Sequence, residues 1–214
     1  MAIRVGKVTM TIDQARMAAI VGEASNVGVG RMSRLYVRRI KESFIPTGRF
    51  IASPAGGPPG TGTGNLRRSI TATQPYYGRA MVGTNVKYAR IQEYGGTITA
   101  KRAKALTIPL NPIAAKMRSN VNSLKSIPNL SFRKMFGQNI GLLVTTTKSG
   151  RGKSHGRPMF LLRRSVTLPP RPFMRTAAAN KQWRQDGLAQ FRAGFVSVVR
   201  RHFRAAAAAG VPTA

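Results

Sequence analysis

The sequence predicts a protein of both helices and strands, and three observations carry that prediction. Apolar residues recur at helical spacing near each end of the chain, at 31–44 and again at 188–202. Two stretches between them read as β-hairpins. A Gly/Pro-rich loop separates the first helix from the first hairpin. With 214 residues, 42% of them hydrophobic, the chain is long enough to bury one core and too apolar for a wholly disordered basic tail. One domain spanning 1–214 is the expectation.

Thr11 and Gln14 have the spacing of a capping box and predict the start of the first helix, broken or loosened around Gly28 and Gly30. Met32, Leu35, Tyr36, Ile40 and Phe44 would form its buried stripe. Arg31, Arg34, Arg38 and Lys41 fall on another face without the interleaved Glu of ordinary i,i+4 pairs. A solvated helix surface and contact with an external anion are both open readings of that face. From 46 to 65, PTGRFIASPAGGPPGTGTGN, ten of twenty residues are Gly or Pro. A loop this long is uncommon inside a compact domain, so a flexible arm that orders on a neighbour is expected.

In the first hairpin, at 66–86, Ile70, Ala72 and Gln74 alternate with Ser69, Thr71 and Thr73 before PYYG turns the chain. A short helix at 86–94 would end at Gly95 and Gly96. The strand predicted at 105–110 contains Pro109, which fits an edge or a strand end. A polar helix near 113–124 and a turn at Pro128 come next. The second hairpin joins IGLLVTTT (140–147) to PMFLLRRSVTL (158–168). Its tip carries Lys148, Arg151, Lys153 and Arg157 among Gly and Ser, suited to phosphate backbone or acidic side chains, or to a plain solvated turn. PPRPF then leads into a long helix with Leu188, Phe191, Phe195, Val198 or Val199, and His202 on its apolar stripe.

Charge narrows the function. There are 36 Lys plus Arg against five acids (Asp13, Glu23, Glu42, Glu93, Asp186), a net charge of +31. The balancing negative charge must come from solvent ions, nucleic acid or acidic subunits. Five scattered acids disfavour two-carboxylate glycosidase chemistry and magnesium-dependent phosphoryl transfer. The lack of cysteine excludes disulfides, thiol nucleophiles and cysteine zinc sites. No run is long and apolar enough to span a bilayer, and 1–26 has no secretory h-region.

Chemical motifs fare no better. Gly152, Lys153 and Ser154 spell GKS, but Thr147 stands where a phosphate loop needs its opening glycine. Glycines 60, 62 and 64 have GxGxG spacing, not that of a dinucleotide fold. His155 and His202 lie at no ligand spacing, and His202 reads as a packing residue. Trp183, Phe191, Phe195 and Phe203 have the spacing of core or subunit packing more than of a base-stacking series. No catalytic residue, metal or cofactor is expected. The chain is read as a non-enzyme.

Four blocks occur in order: TGNLRRSI at 63–70, VGT at 82–84, YARIQEYGG at 88–96 and RPFMRTA at 171–177. Together they resemble the tail-completion, or neck, proteins of long-tailed bacteriophages. That family includes the minor tail components of lambda-like phages and the virion-morphogenesis proteins of Mu-like phages. The resemblance implies an α+β domain, an antiparallel sheet of hairpins flanked by the N-terminal and long C-terminal helices. Within it, 111–157 would be an insertion ending in the basic tip. The resemblance further implies structural roles for Gly64, Leu66, Ile70, Tyr88, Gly95, Gly96, Arg171, Pro172 and Phe173. On their own chemistry, Gly64 would permit a turn, Pro172 would open a helix, Phe173 would anchor it, Arg171 would reach a neighbouring carboxylate, and Tyr88 and Tyr94 would pack between helix and sheet.

For function, the resemblance implies a structural virion subunit in the neck or head-proximal tail, made in the host cytoplasm. It would form a sixfold or twelvefold ring and contact connector, tail-terminator or tail-tube proteins, with basic surface toward DNA or acidic subunits. The rival expectation is a basic, sequence-nonspecific nucleic-acid-binding or packaging protein, marked by tight binding to free DNA or RNA with a steep salt dependence.

Overall fold

The computed structural model describes residues 13–48, 53–101, 103–120, 124–134, 140–145 and 156–208. The fold is α+β, with helices at both ends and antiparallel ladders between them. The chain divides into two compact units, each drawn from separated stretches. The first comprises Met1–Ser43, Arg68–Asn85 and Met174–Ala214; the second comprises Phe44–Arg67 and Val86–Phe173.

In the first unit, α1 (Gln14–Glu42) pairs with α6 (Lys181–Ala208). Asp13, not Thr11, caps α1: its carboxylate accepts the Arg16 N–H at 3.1 Å. Thr11 lies outside the described residues. The helix runs unbroken through Gly28 and Gly30, contrary to expectation, because both glycines face close neighbours, α6 at Gly28 and Pro75 at Gly30. A Cβ on Gly194 would stand 2.9 Å from the Gly28 Cα, and one on Gly28 would stand 2.7 Å from the Phe191 ring. Each interior glycine costs about 1 kcal/mol against alanine, and close backbone packing offsets it.

The same geometry corrects the α6 stripe. Leu188 is 50% exposed, whereas Gly187, Gly194 and Val198 are buried beside half-buried Phe191 and Phe195. A Cβ on Gly187 would meet the Tyr36 ring at 2.9 Å. On α1, Leu35 and Ile40 are buried, with Met32 and Tyr36 half-buried. The helix expected to begin at PPRPF is two: α5 (Met174–Ala179), then α6, whose Asn180 Oδ1 accepts the Trp183 N–H at 3.1 Å.

A small hairpin completes this unit. It joins β1 (Thr71–Ala72) to β2 (Val82–Gly83) and starts later than predicted, since 65–69 form the short helix α2 (Asn65–Ser69). Tyr77 and Gly78 turn it with φ of +46° and +66°, the signature of a type I′ hairpin. The Gly78 N–H donates to Asn26 Oδ1 at 2.8 Å, tying the turn to α1.

The second unit holds two ladders. One pairs β3 (Gly96–Thr99) with β8 (Ser165–Leu168). The other runs in the order β4 (Leu106–Pro109), β7 (Arg157–Arg163), β6 (Ile140–Thr145), β5 (Leu130–Lys134). Pro109 does lie on an edge strand. The single return strand expected at 158–168 is split at Arg164, so β7 and β8 join different ladders. A register shift opposite Leu143 and Val144 pairs them with Phe160 and Pro158, leaving Met159 as the extra residue of a bulge. Strict alternation would send Met159 and Phe160 to opposite faces; the bulge lets both enter one core. They pack there with Ala114 of α4 (Pro112–Ser119) and with Ile127. Asn111 caps α4 by accepting the Ala114 N–H at 2.8 Å, and Pro112 fills its first turn.

Candidate functional site

The motif residues of the second unit meet in one place. α3 (Ala89–Tyr94) ends at Gly95, φ +70°, where a Cβ would press to 2.8 Å from the Pro170 nitrogen. Gly96 comes next at φ +145°, so the pair can reverse the chain as few other residues could. The Arg171 N–H donates to the Gln92 carbonyl at 2.7 Å. Phe173 is buried edge-on to Phe44, ring centres 5.5 Å apart, and its N–H donates to Glu93 Oε2 at 2.8 Å. Pro172 stands just ahead of α5, as its ring geometry favours. Gly64 takes φ +74° before buried Leu66. The Asn65 side chain donates to the Tyr88 hydroxyl at 3.3 Å.

Two motif roles differ from expectation. Arg171 Nε donates to the Ser53 carbonyl at 3.0 Å, not to a carboxylate. Tyr88 and Tyr94 are exposed, because Ala89 and Glu93, one turn apart, take the buried positions of α3. Glu93 belongs to the third block, YARIQEYGG, and takes a buried place there that none of the roles expected of the motif residues covers. The sequence signal for it is its i,i+4 spacing from Ala89, which puts both on one face of α3.

The Gly/Pro loop, where described, is hydrogen-bonded across its own unit. Gly56 N–H donates to the Pro170 carbonyl at 2.9 Å, Gly60 N–H to Ser53 Oγ at 3.1 Å, and Thr61 Oγ1 to the Thr47 carbonyl at 3.2 Å. Between loop and motif residues lies a cleft of about 380 Å³ lined by Thr47, Ser53, Thr63, Tyr88, Gln92 and Arg171, among others.

In the first unit, Ile70 is fully buried and Ser69 Oγ lies 2.6 Å from Thr84 Oγ1, linking the first two motif blocks. Among the described residues of this unit, the hairpin beyond them is the most exposed apolar feature: Tyr76 is 70%, Tyr77 79% and Met81 74% exposed. The two tyrosine rings stack edge-on at 4.3 Å.

Predicted cation sites separate. Arg34 and Arg38 are exposed on α1, while Arg31 and Lys41 are half-buried. The Arg31 stem lies along the crossing with α6, its Cδ 3.0 Å from where a Gly194 Cβ would stand. Arg38 does have an i,i+4 acid, Glu42, at 3.8 Å. Arg157 is exposed at the start of β7, and Lys148, Arg151 and Lys153 lie outside the described residues, as does His155. His202 is half-buried, as expected, and also makes a polar contact: its Nε2 lies 2.7 Å from Glu23, which also bonds Arg201. The His202 contact, then the Arg201 contact, hold the Glu23 carboxyl below its ordinary pKa. Arg39 meets Asp186 at 3.2 Å. Among the described residues no group of three His, Asp or Glu could hold a metal, and no helix is long and apolar enough to cross a membrane.

No protein family, curated protein or solved structure matches the chain.

Proposed function

We propose that this chain is a structural virion protein of a tailed phage, one that assembles as a homo-oligomeric ring in the neck or head-proximal tail. The reading rests on the resemblance of its four motif blocks to tail-completion proteins. One observation supports it most: residues of the first, third and fourth blocks, far apart in sequence, are locked together in the second unit by backbone hydrogen bonds and packing. Such a lock serves to hold a scaffold, and it uses backbone carbonyls and N–H groups, the Glu93 carboxylate, the Asn65–Tyr88 side-chain bond and packed rings.

Assembly then proceeds by surface burial. The Tyr76–Tyr77–Met81 hairpin offers exposed aromatic area of the kind that anchors subunit contacts. The excess of 31 positive charges makes a ring self-repelling unless DNA or acidic connector and tail subunits screen it. The test is co-expression with the products of the flanking genes, then sedimentation and electron microscopy. Rings that bridge neck and tail-tube partners are the expected outcome. A chain that stays monomeric beside those partners, yet binds one DNA sequence tightly, overturns the reading in favour of a dedicated nucleic-acid-binding protein.

A further inference from the structure

Phe44–Arg67 and Val86–Phe173, the second unit, contain a single acid, Glu93, and it is buried against Phe173. The surface of this unit therefore carries no carboxylate, and each of its exposed charges is positive. Strand register gathers several of these charges at one end. Arg163 closes β7 opposite Leu106 of β4 and Ile140 of β6. Arg164 comes next, at the switch between ladders, its carbonyl accepting the Ala100 N–H at 3.0 Å. That bond brings the loop between β3 and β4, with Lys101 and Lys104, to the same place. Lys134 ends β5 opposite Gly141, one residue row away from Arg163, and Arg133 precedes it. All six side chains are exposed. Arg157 belongs to the opposite end of the sheet, where it pairs with Thr145.

We infer that this end of the sheet is a binding surface for the phosphate backbone of double-stranded DNA. Its assignment rests on the neck reading and deepens it, since it names the basic surface that meets the genome. Neighbouring strands lie about 4.8 Å apart, so the cluster spans on the order of 10–15 Å, the reach of several successive phosphates. An acidic protein partner would call for an apolar centre within a charged rim. The cluster instead draws its cations from β5, from the end of β7 and from the loop between β3 and β4, with no carboxylate on the surface of the unit, as sequence-blind backbone contact requires. Proteins do not read base edges with such a surface; they grip the duplex.

The test measures the full chain binding a short random-sequence DNA duplex across a salt series. The variant K101Q/K104Q/R163Q/R164Q is compared with R184Q/R192Q/R200Q/R204Q, which removes four exposed charges from α6 instead. Each phosphate contact contributes about 0.9 to the slope of log K against log salt. The sheet-end variant should flatten the slope by about 3 to 4, and the α6 variant by less than about 1. Equal flattening by both variants, or no flattening by the first, overturns the inference. So does a sheet-end variant that loses binding to polyglutamate while keeping DNA. If the quadruple variant does not fold, K101Q/K104Q alone, outside both ladders, should flatten the slope by about 2. Sedimentation in the same samples separates the two ideas. Rings with an unchanged slope overturn this surface alone, and a flattened slope without rings beside the partners overturns the neck reading alone.

Discussion

The two units use their acids in opposite ways. In the first, Glu23 meets Arg201 and His202, Asp186 meets Arg39, Glu42 meets Arg38, and Asp13 caps α1. Three of these contacts join α1 to α6, where the glycine faces already bring the backbones together. In the second, the only acid is spent inside, on the N–H of Phe173, and the surface is left entirely cationic. Net charge alone therefore says little about where a polyanion would bind. A scarce acid marks the contacts a fold needs, and its absence marks the surface left for others.

The largest expected effect strikes the second unit. Phe173→Ala empties a fully packed position and should cost about 3–5 kcal/mol in urea denaturation. Glu93→Ala, which orphans the buried N–H, should cost about 1–3 kcal/mol, with part of the loss recovered by Glu93→Gln. If Glu93→Ala proves neutral, the acid is not structural and the contrast between units collapses. The first unit is probed through its helix crossing. Gly194→Ala should destabilise by about 1–3 kcal/mol through overpacking against the Gly28 backbone. Gly22→Ala, which meets nothing within 4 Å, should stabilise by up to about 1 kcal/mol. Two equal shifts would show that helix propensity, and not close approach, governs these glycines.

Smaller still is Tyr77→Asn. Releasing a tyrosine from the left-handed region should gain about 1 kcal/mol in thermal melts, while weakening ring formation if the hairpin is a subunit contact. A loss of stability on this change would place the tyrosine ring in the fold and not on an interface. The last effect is a matter of sign. Because the folded Glu23 pKa is lowered, its contribution is complete above the ordinary carboxylate value and disappears as pH falls through the lowered one. Glu23→Gln should remove that acid-side slope from denaturation curves while leaving the second unit's transition unmoved. An acid-side slope that survives the substitution would move the effect to another carboxylate.

Periodicity makes both long helices legible, and Gly95, Gly96, Pro109 and the PYYG turn each announce a real feature. What stays hidden depends on partners distant in sequence. Leu188 looks like core and Gly187 does not, because hydrophobicity cannot report a backbone that must come close. PMFLLRRSVTL reads as one strand, since nothing local says that Arg164 is where two ladders part. The sheet-end cations come from three separate segments and look scattered until the register aligns them. Asn180 gives a local hint of the break before α6, although the alanines ahead of it mask the signal.

The pairing of α1 with α6 also fixes an order of events during synthesis. α1 leaves the ribosome before the second unit, and its partner, Lys181–Ala208, leaves after it. Every residue of that unit is made in the interval. The glycine-notched face of α1 must therefore wait, solvated and unpaired, until α6 emerges. Completion of the helix pair is a late checkpoint of synthesis, and a product cut short before α6 would expose an unsatisfied apolar helix for the cell's quality control to find.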